Sequence, residues 1–202
     1  MEKPKLINDL INIFKNFPSV GPKTAERFTY FLLDKKDILN YFIKVLSEIE
    51  NNVIRCDYCN NFSLENPCKI CREPSRDHKL LCLVEKYQDI YSIDKAGYNG
   101  LYYVLNTIIN PLEGKMPQHI DINSLYKRIL EIEDEYKPKE VIIGLSFTTE
   151  AEITSNFIIE YFKNKNVNIK FSRIAKGLPI GADIEYADPQ TLSFALKNRT
   201  SI

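Results

Sequence analysis

Four of the chain's five cysteines form two C-x-x-C pairs, Cys56-x2-Cys59 and Cys68-x2-Cys71, with eight residues between the pairs. Thiolates are soft ligands, and each C-x-x-C turn can aim two of them at one ion. The pattern therefore matches a tetrahedral four-sulfur zinc site. Four protein ligands leave no open coordination position, so the expected role is structural, with one Zn2+ per chain. The segment around them, 55–78, holds few large apolar residues (Phe62, Leu64 and Ile70), and a metal would stand in for a core there. An iron–sulfur cluster is the alternative occupant, and disulfides fit a reducing compartment least well. Cys82, inside the apolar run "KLLCLVE", reads as a small buried residue.

A second candidate lies in "FPSVGPKTAERF", residues 17–28. Glycine beside lysine and threonine suggests a phosphate. A nucleotide-binding P-loop would need adjacent Gly and Lys after a buried strand, whereas here Pro22 separates Gly21 from Lys23 and a helical pattern precedes. The fit is to a helix, a tight apolar turn and a second helix whose first N–H groups face a phosphate. Lys23 and Arg27 stand four apart, on one helix face, and add charge. No base-reading group is evident, so DNA binding at Gly21, Lys23 and Arg27 would be independent of sequence. The bland alternative is a helical corner with solvated charges. The stretch resembles the helix-hairpin-helix motif, whose turn usually reads Leu-Pro-Gly-Ile-Gly-Pro. Ser19 replaces its first glycine, at a cost of roughly 1 kcal/mol if the backbone there has positive φ.

The third candidate is a set of carboxylates. Glu85 ends the first apolar run, and Glu150 and Glu152 follow the second, "EVIIGLS". The ends of strands are where α/β sheets place functional groups. The arrangement resembles the Toprim fold, in which a glutamate after one strand and an Asp-x-Asp pair after another hold Mg2+. Here Ser146 and Thr148 occupy the aspartate positions and Ala151 replaces a glycine. A metal-dependent phosphoryl transfer would lose its main ligands, which argues against catalysis. Solvated or helix-capping carboxylates are the plain reading of Glu85, Glu150 and Glu152. The other role open to them is contact with a protein partner.

The elements needed to position these groups follow from periodicity. Leu6, Ile7, Leu10, Ile11 and Phe14 predict a helix over 4–16. A second starts at Pro22 and runs to Asp34, and a third spans about 36–52. After the polar segment 55–78, short apolar strands at 79–85, 140–146 and 167–175 alternate with helices at about 123–136 and 150–164, the pattern of a mainly parallel α/β sheet. A short helix is expected from Pro189. The 202 residues are 44% hydrophobic and 27% charged, which excludes a disordered chain, and the net charge is zero. Residues 1–45 nevertheless carry eight Lys/Arg against five Asp/Glu, so a polyanion would meet the N-terminal part. No apolar run approaches the roughly 18 residues of a membrane span, and "MEKPKLINDL" has no signal-peptide core, so a cytoplasmic location is expected.

Helix-hairpin-helix, four cysteines and Toprim-like α/β, in that order, resemble the bacterial recombination mediators of the RecR family. So do "CREPSRDHKLLCLVE", "GYNGLYYVLNTIINPLEG", "FSRIAKGLPIGADIEYADPQTL" and "LKNR". The departures are Ser19, Ala151, and Tyr103 where the family usually has histidine. The resemblance implies a multidomain protein of α+β and α/β class. Its parts would be a helical DNA-binding domain (1–54), a zinc finger (55–78), a Toprim-like domain (79–176) and a C-terminal oligomerisation segment (177–202). It implies a non-enzymatic, tetrameric ring that encircles DNA and acts with RecO and RecF to load RecA on single strands. Asp183, Glu185 and Tyr186 of the Walker-B-like "GADIEYAD" would serve packing or subunit contacts. The competing reading is a Toprim-type metal-dependent nuclease or primase with a degenerate acidic motif.

Overall fold

A computed structural model of the chain describes residues 3–131 and 137–199. By its internal contacts the chain divides into two units, Met1–Val53 and Ile54–Ile202.

The first unit is three helices: α1 (Lys5–Lys15), α2 (Pro22–Asp34) and α3 (Lys36–Asn52). The amphipathic stripe of α1 delivers Phe14 to a small core with Ala25 and Leu32. Leu10, Ile11, Val20, Leu39 and Phe42 pack around these three. Phe14 meets Phe17 and Phe28 edge-on, each with ring centroids 5.7 Å away. This aromatic cluster clamps the α1–α2 hairpin. Pro22 opens α2, where its missing N–H costs nothing.

The second unit begins with a small hairpin, β1 (Ile54–Arg55) paired antiparallel with β2 (Phe62–Ser63), and a single helical turn, α4 (Lys69–Arg72). An α/β sheet follows: β3 (Asp77–Val84), α5 (Tyr87–Lys95), β4 (Gly100–Val104), α6 (Ile122–Leu130), β5 (Glu140–Ile143), α7 (Thr149–Asn164) and β6 (Lys170–Arg173). The strand order is β4-β3-β5-β6, and every pairing is parallel. Alternate residues serve opposite faces. Leu81, Leu83, Leu101, Tyr103, Val141 and Ile143 pack against Leu125 and Ile129 of α6 and Ile158 and Phe162 of α7. Cys82, Val84, Tyr102 and Val104 face the other way, onto Ile90 and Ile93 of α5. Burial pushes the Cys82 thiol up to about 12, as suits a small apolar packing residue.

β5 runs into Gly144, and this glycine is required by close approach. A Cβ there would lie 2.6 Å from Cys82 Sγ and 2.9 Å from the Leu83 carbonyl. The tail ends in α8 (Pro189–Lys197), whose N-cap Asp188 accepts from the Thr191 amide at 2.9 Å.

Periodicity gives α1–α3, α7 and α8 within a residue or so. It does not give α5 or β4. The strand expected over 167–175 forms only at Lys170–Arg173. The helix expected over 123–136 is observed as Ile122–Leu130, and residues 132–136 lie outside the described ones, as do 200–202 of the tail.

Candidate metal centre and nucleic-acid interface

The cysteine loop is built to converge. Cys56 leaves β1, its N–H donates to the Asn61 carbonyl at 2.9 Å, and its carbonyl accepts from the Asn60 amide at 2.8 Å. Asn60 makes this tight turn at φ 61°, a conformation asparagine tolerates better than most residues. Cys68 is the N-cap of α4, which carries Cys71. The four sulfurs lie within 4.8 Å of one another, and three of the four cysteines are buried. The Cys56–Cys71 and Cys59–Cys68 sulfurs are 3.9 Å and 3.5 Å apart. Those separations exceed the ~2.05 Å of a disulfide. They bracket the ~3.8 Å expected between thiolates set tetrahedrally about an ion at ~2.3 Å. All four cysteines are free thiols placed as a metal site needs them.

Their electrostatics point the same way. Hydrogen bonds from Cys59, Cys68 and Cys71 hold the Cys56 thiol far below its ordinary range, and the Cys68 amide adds another at 3.3 Å. Sharing protons with Cys56, Cys59 and Cys68 pushes Cys71 far up. A cation bound there would displace the shared protons and take all four sulfurs as thiolates.

The loop is joined to the sheet by backbone. Val104 at the end of β4 donates its N–H to the Cys59 carbonyl at 2.9 Å and accepts from Asn60 Nδ2 at 3.0 Å. Ile70, between the last two cysteines, packs on the cysteine cluster and on both faces of the sheet.

At the α1–α2 hairpin, Ser19 sits at φ 63°, the left-handed conformation in which glycine is at ease. Gly21 is the N-cap of α2, with φ −81° and no side-chain capping bond. A Cβ added at Gly21 meets nothing within 4 Å, so the backbone here is open. The first-turn N–H groups have no intrahelical acceptor. Lys23 and Arg27 lie in the first half of α2, and among the described residues neither pairs with a carboxylate. Glu26, beside Arg27, is held by Lys3 at 2.5 Å.

Two of the Toprim-position carboxylates are countered by cations. Glu85 is 3.4 Å from Lys86. Glu152 pairs with Arg173, whose guanidinium also donates to the Ser146 carbonyl at 3.2 Å. Thr148 serves as N-cap of α7 and accepts from the Ala151 amide at 3.2 Å. Among the described residues, only the four cysteines gather three or more potential metal ligands. Glu85, Glu150 and Glu152 form no such group.

Residues 79–175 match the Toprim domain family, 7–38 the RecR helix-hairpin-helix family and 177–200 the RecR C-terminal family. The chain is 39% identical to the recombination protein RecR of Lacticaseibacillus casei over 204 residues, covering all of both chains. Identity to the RecR of Desulforudis audaxviator is 35% at the same full coverage. Against that of Bifidobacterium adolescentis it is 37%, over 97% of this chain and 96% of the other. The chain belongs to the RecR family.

Membership covers all three modules and places the four cysteines inside a RecR chain. Sequence reasoning named the cysteines, Lys23 and Arg27, but missed two cations. Arg173 sits in β6, 21 residues from its partner Glu152. Arg128 of α6 is buried in a segment, "SLYKRIL", that reads as a solvated helix face. No helix among the described residues is long and apolar enough to cross a membrane.

Proposed function

We propose that this protein is a DNA-binding recombination mediator of recombinational repair, working from the cytoplasm without catalysing a reaction. The observation that carries the DNA part is the open hairpin. Gly21 is demanded by neither its backbone angles nor its packing, so what it spares room for lies outside the chain. A DNA phosphate would approach there, met by the first-turn N–H groups of α2 and by Lys23 and Arg27. None of these groups reads bases, so contact is independent of sequence.

The cysteine cluster holds Zn2+ as a structural ion, replacing a core the loop lacks. The division into 1–54, 55–78, 79–176 and 177–202 follows the three RecR modules and the cysteine loop. A homotetrameric ring is supported by apolar surface at both ends of the sequence. α3 buries no residue fully although it carries Ile38, Tyr41, Ile43, Leu46 and Ile49, and Ile180, Ile184 and Tyr186 of the tail are exposed. Asp183 and Glu185 lie beside that exposed tail surface. Acting with RecO-like and RecF-like proteins, such a ring would help load RecA on single-stranded DNA. Glu85, Glu150 and Glu152 would face the RecO-like partner. The absence of Asp-x-Asp at Ser146 and Thr148, with Thr148 serving as a cap, weighs against a nuclease or primase.

The test is binding of labelled DNA at several salt concentrations by the wild type and the Lys23→Ala/Arg27→Ala chain. Each lost phosphate contact removes about 0.9 from the log–log slope, so two remove about 1.8, equally for all sequences. An unchanged slope moves the interface elsewhere. Cleavage or primer synthesis with Mg2+ or Mn2+ would restore the enzyme reading.

A further inference from the structure

Beside the countered acid Glu152 lies an open groove of about 630 Å³, formed where the start of α7, the end of β6 and α8 meet. Cations and aromatic rings alternate along it. The Arg173 guanidinium is 5.1 Å from the centre of the Phe147 ring, and the Lys176 ammonium is 5.2 Å from the same ring. Lys176 also stands 4.3 Å from the Phe194 ring, and Lys197 stands 6.0 Å from it. The order is therefore Arg173, Phe147, Lys176, Phe194, Lys197, each within reach of the next.

Neither ring belongs to the hydrophobic clusters of the sheet. Phe147 is 49% exposed and Phe194 36%, so flat apolar surface is open to a ligand. Arg173 is committed to Glu152 and to the Ser146 carbonyl, and its part is to hold Phe147 in place. Lys176 and Lys197 are different. Their partners are rings, and among the described residues no carboxylate pairs with either. An exposed ring holds an ammonium less firmly than it stacks a base. A base entering the groove would take the ring face and leave the lysine to meet the adjoining phosphate.

We propose that this groove is a second nucleic-acid site, selective for a short single-stranded segment whose bases stack on Phe147 and Phe194 and whose phosphates meet Lys176 and Lys197. Alternating rings and cations match the alternating bases and phosphates of an unpaired strand. A duplex cannot use them, because its bases are already stacked and paired and hide their faces. An acidic peptide would satisfy the two lysines but leave the rings without a flat partner. The groove does not depend on the hairpin at Gly21, which offers contacts to phosphate alone.

The test is anisotropy titration of the full chain with a short labelled oligothymidylate and with a duplex of the same length. Phe147→Leu/Phe194→Leu keeps apolar bulk but removes both π faces. It should bind the single strand at least ~10-fold more weakly and the duplex within about twofold of the wild type. Phe147→Tyr/Phe194→Tyr, which keeps the rings, should retain single-strand affinity. Lys176→Ala/Lys197→Ala should lower the log–log salt slope for the oligothymidylate by about 1.4, two single-strand phosphates. Each chain is also measured with Lys23→Ala/Arg27→Ala in place, where the groove's losses should persist. The hairpin is judged by the duplex slope and the groove by the leucine chain, so either can fail alone. Unchanged single-strand affinity in the leucine chain, an equal loss on duplex, or a loss in the tyrosine chain as large as in the leucine chain would overturn the second site. So would a leucine chain that loses polyglutamate and keeps the oligothymidylate, which would make this a peptide groove. Should the leucine chain not fold, ultraviolet crosslinking of the wild type to the oligothymidylate decides. Adducts on Phe147 or Phe194 support the site, and adducts confined to other residues overturn it.

Discussion

The amide of Val104 donates to the carbonyl of Cys59 at 2.9 Å, so the last residue of the sheet's edge strand is hydrogen-bonded to a metal-site ligand. Asn60 closes the same junction from its side chain at 3.0 Å. The cysteine loop therefore continues the edge of β4. Its order should depend on the ion, because little apolar core lies beneath it. Chelation, or Cys56→Ser or Cys71→Ser, should abolish the stoichiometric zinc and speed amide exchange at Val104 and through 55–72. Ile143, in the interior strand β5, should keep its protection. Hydrogen exchange read by mass spectrometry checks both regions in one experiment. Uniform exchange in the presence and absence of metal would mean that the loop holds itself.

Ser19 and Gly21 make opposite predictions two residues apart. Ser19 occupies a left-handed conformation at φ 63°, and glycine there removes a steric cost of roughly 1 kcal/mol. Ser19→Gly should raise the unfolding midpoint of the helical unit slightly. Gly21 is in ordinary extended backbone with open space around it, so Gly21→Ala should leave folding unchanged. If a phosphate lies against that backbone, the same methyl group should weaken DNA binding. Thermal melts and DNA titrations of the two variants separate the effects, and a Gly21→Ala chain with full DNA affinity would take the phosphate away from this turn.

The helical hairpin is legible in the sequence because its signals are local. Pro22 marks the start of α2, and Leu10, Ile11 and Phe14 recur at helical spacing. β4 is not legible. Its five residues, "GLYYV", are buried on both faces, so no alternation betrays a strand, and a glycine heads it. α5 sends only Ile90 to full burial, which leaves a weak stripe. The four cysteines declare themselves by spacing alone. Arg128 and Arg173 do not: the partner of Arg173 is distant in sequence, and a lone arginine on a helix or edge strand is ordinarily solvated. In the sequence the acids look uncompensated; ion pairs with Lys86 and Arg173 show two of the three already countered.

Gly144 tests the sheet itself. Its N–H donates to the Leu83 carbonyl at 2.8 Å, and the close approach that makes this bond leaves no room for a side chain. A methyl group would meet backbone at Leu83 as well as the Cys82 sulfur, and backbone in a central strand cannot swing aside. Gly144→Ala should therefore cost about 1–3 kcal/mol, as overpacking of a filled core does. Cys82→Ala in the same chain should recover only part, because the Leu83 contact remains. Chemical denaturation of the single and double variants reads both numbers. A neutral Gly144→Ala would mean that β3 and β5 part more easily than their packing suggests.

The remaining prediction concerns the first turn of α7. Glu150 is half-buried and Glu152 exposed there, and Glu152 shares Arg173 with the Ser146 carbonyl. A surface of this kind, acidic but tethered to a cation, repels DNA weakly and suits a basic protein partner by charge complementarity. Reversing Glu150 and Glu152 to lysine should weaken binding to a RecO-like protein, most at low salt, and leave DNA binding unchanged or slightly stronger. Neutral replacement by glutamine should weaken it less, because a lysine beside Arg173 adds repulsion as well as removing attraction. Lys23→Ala/Arg27→Ala should show the converse, weaker DNA binding with the partner retained. Pull-down and titration of the four chains against both ligands measure the separation. Equal partner affinity in the reversed and wild-type chains would reduce the acids to ordinary surface residues, with Glu152 paired to Arg173 for local order alone.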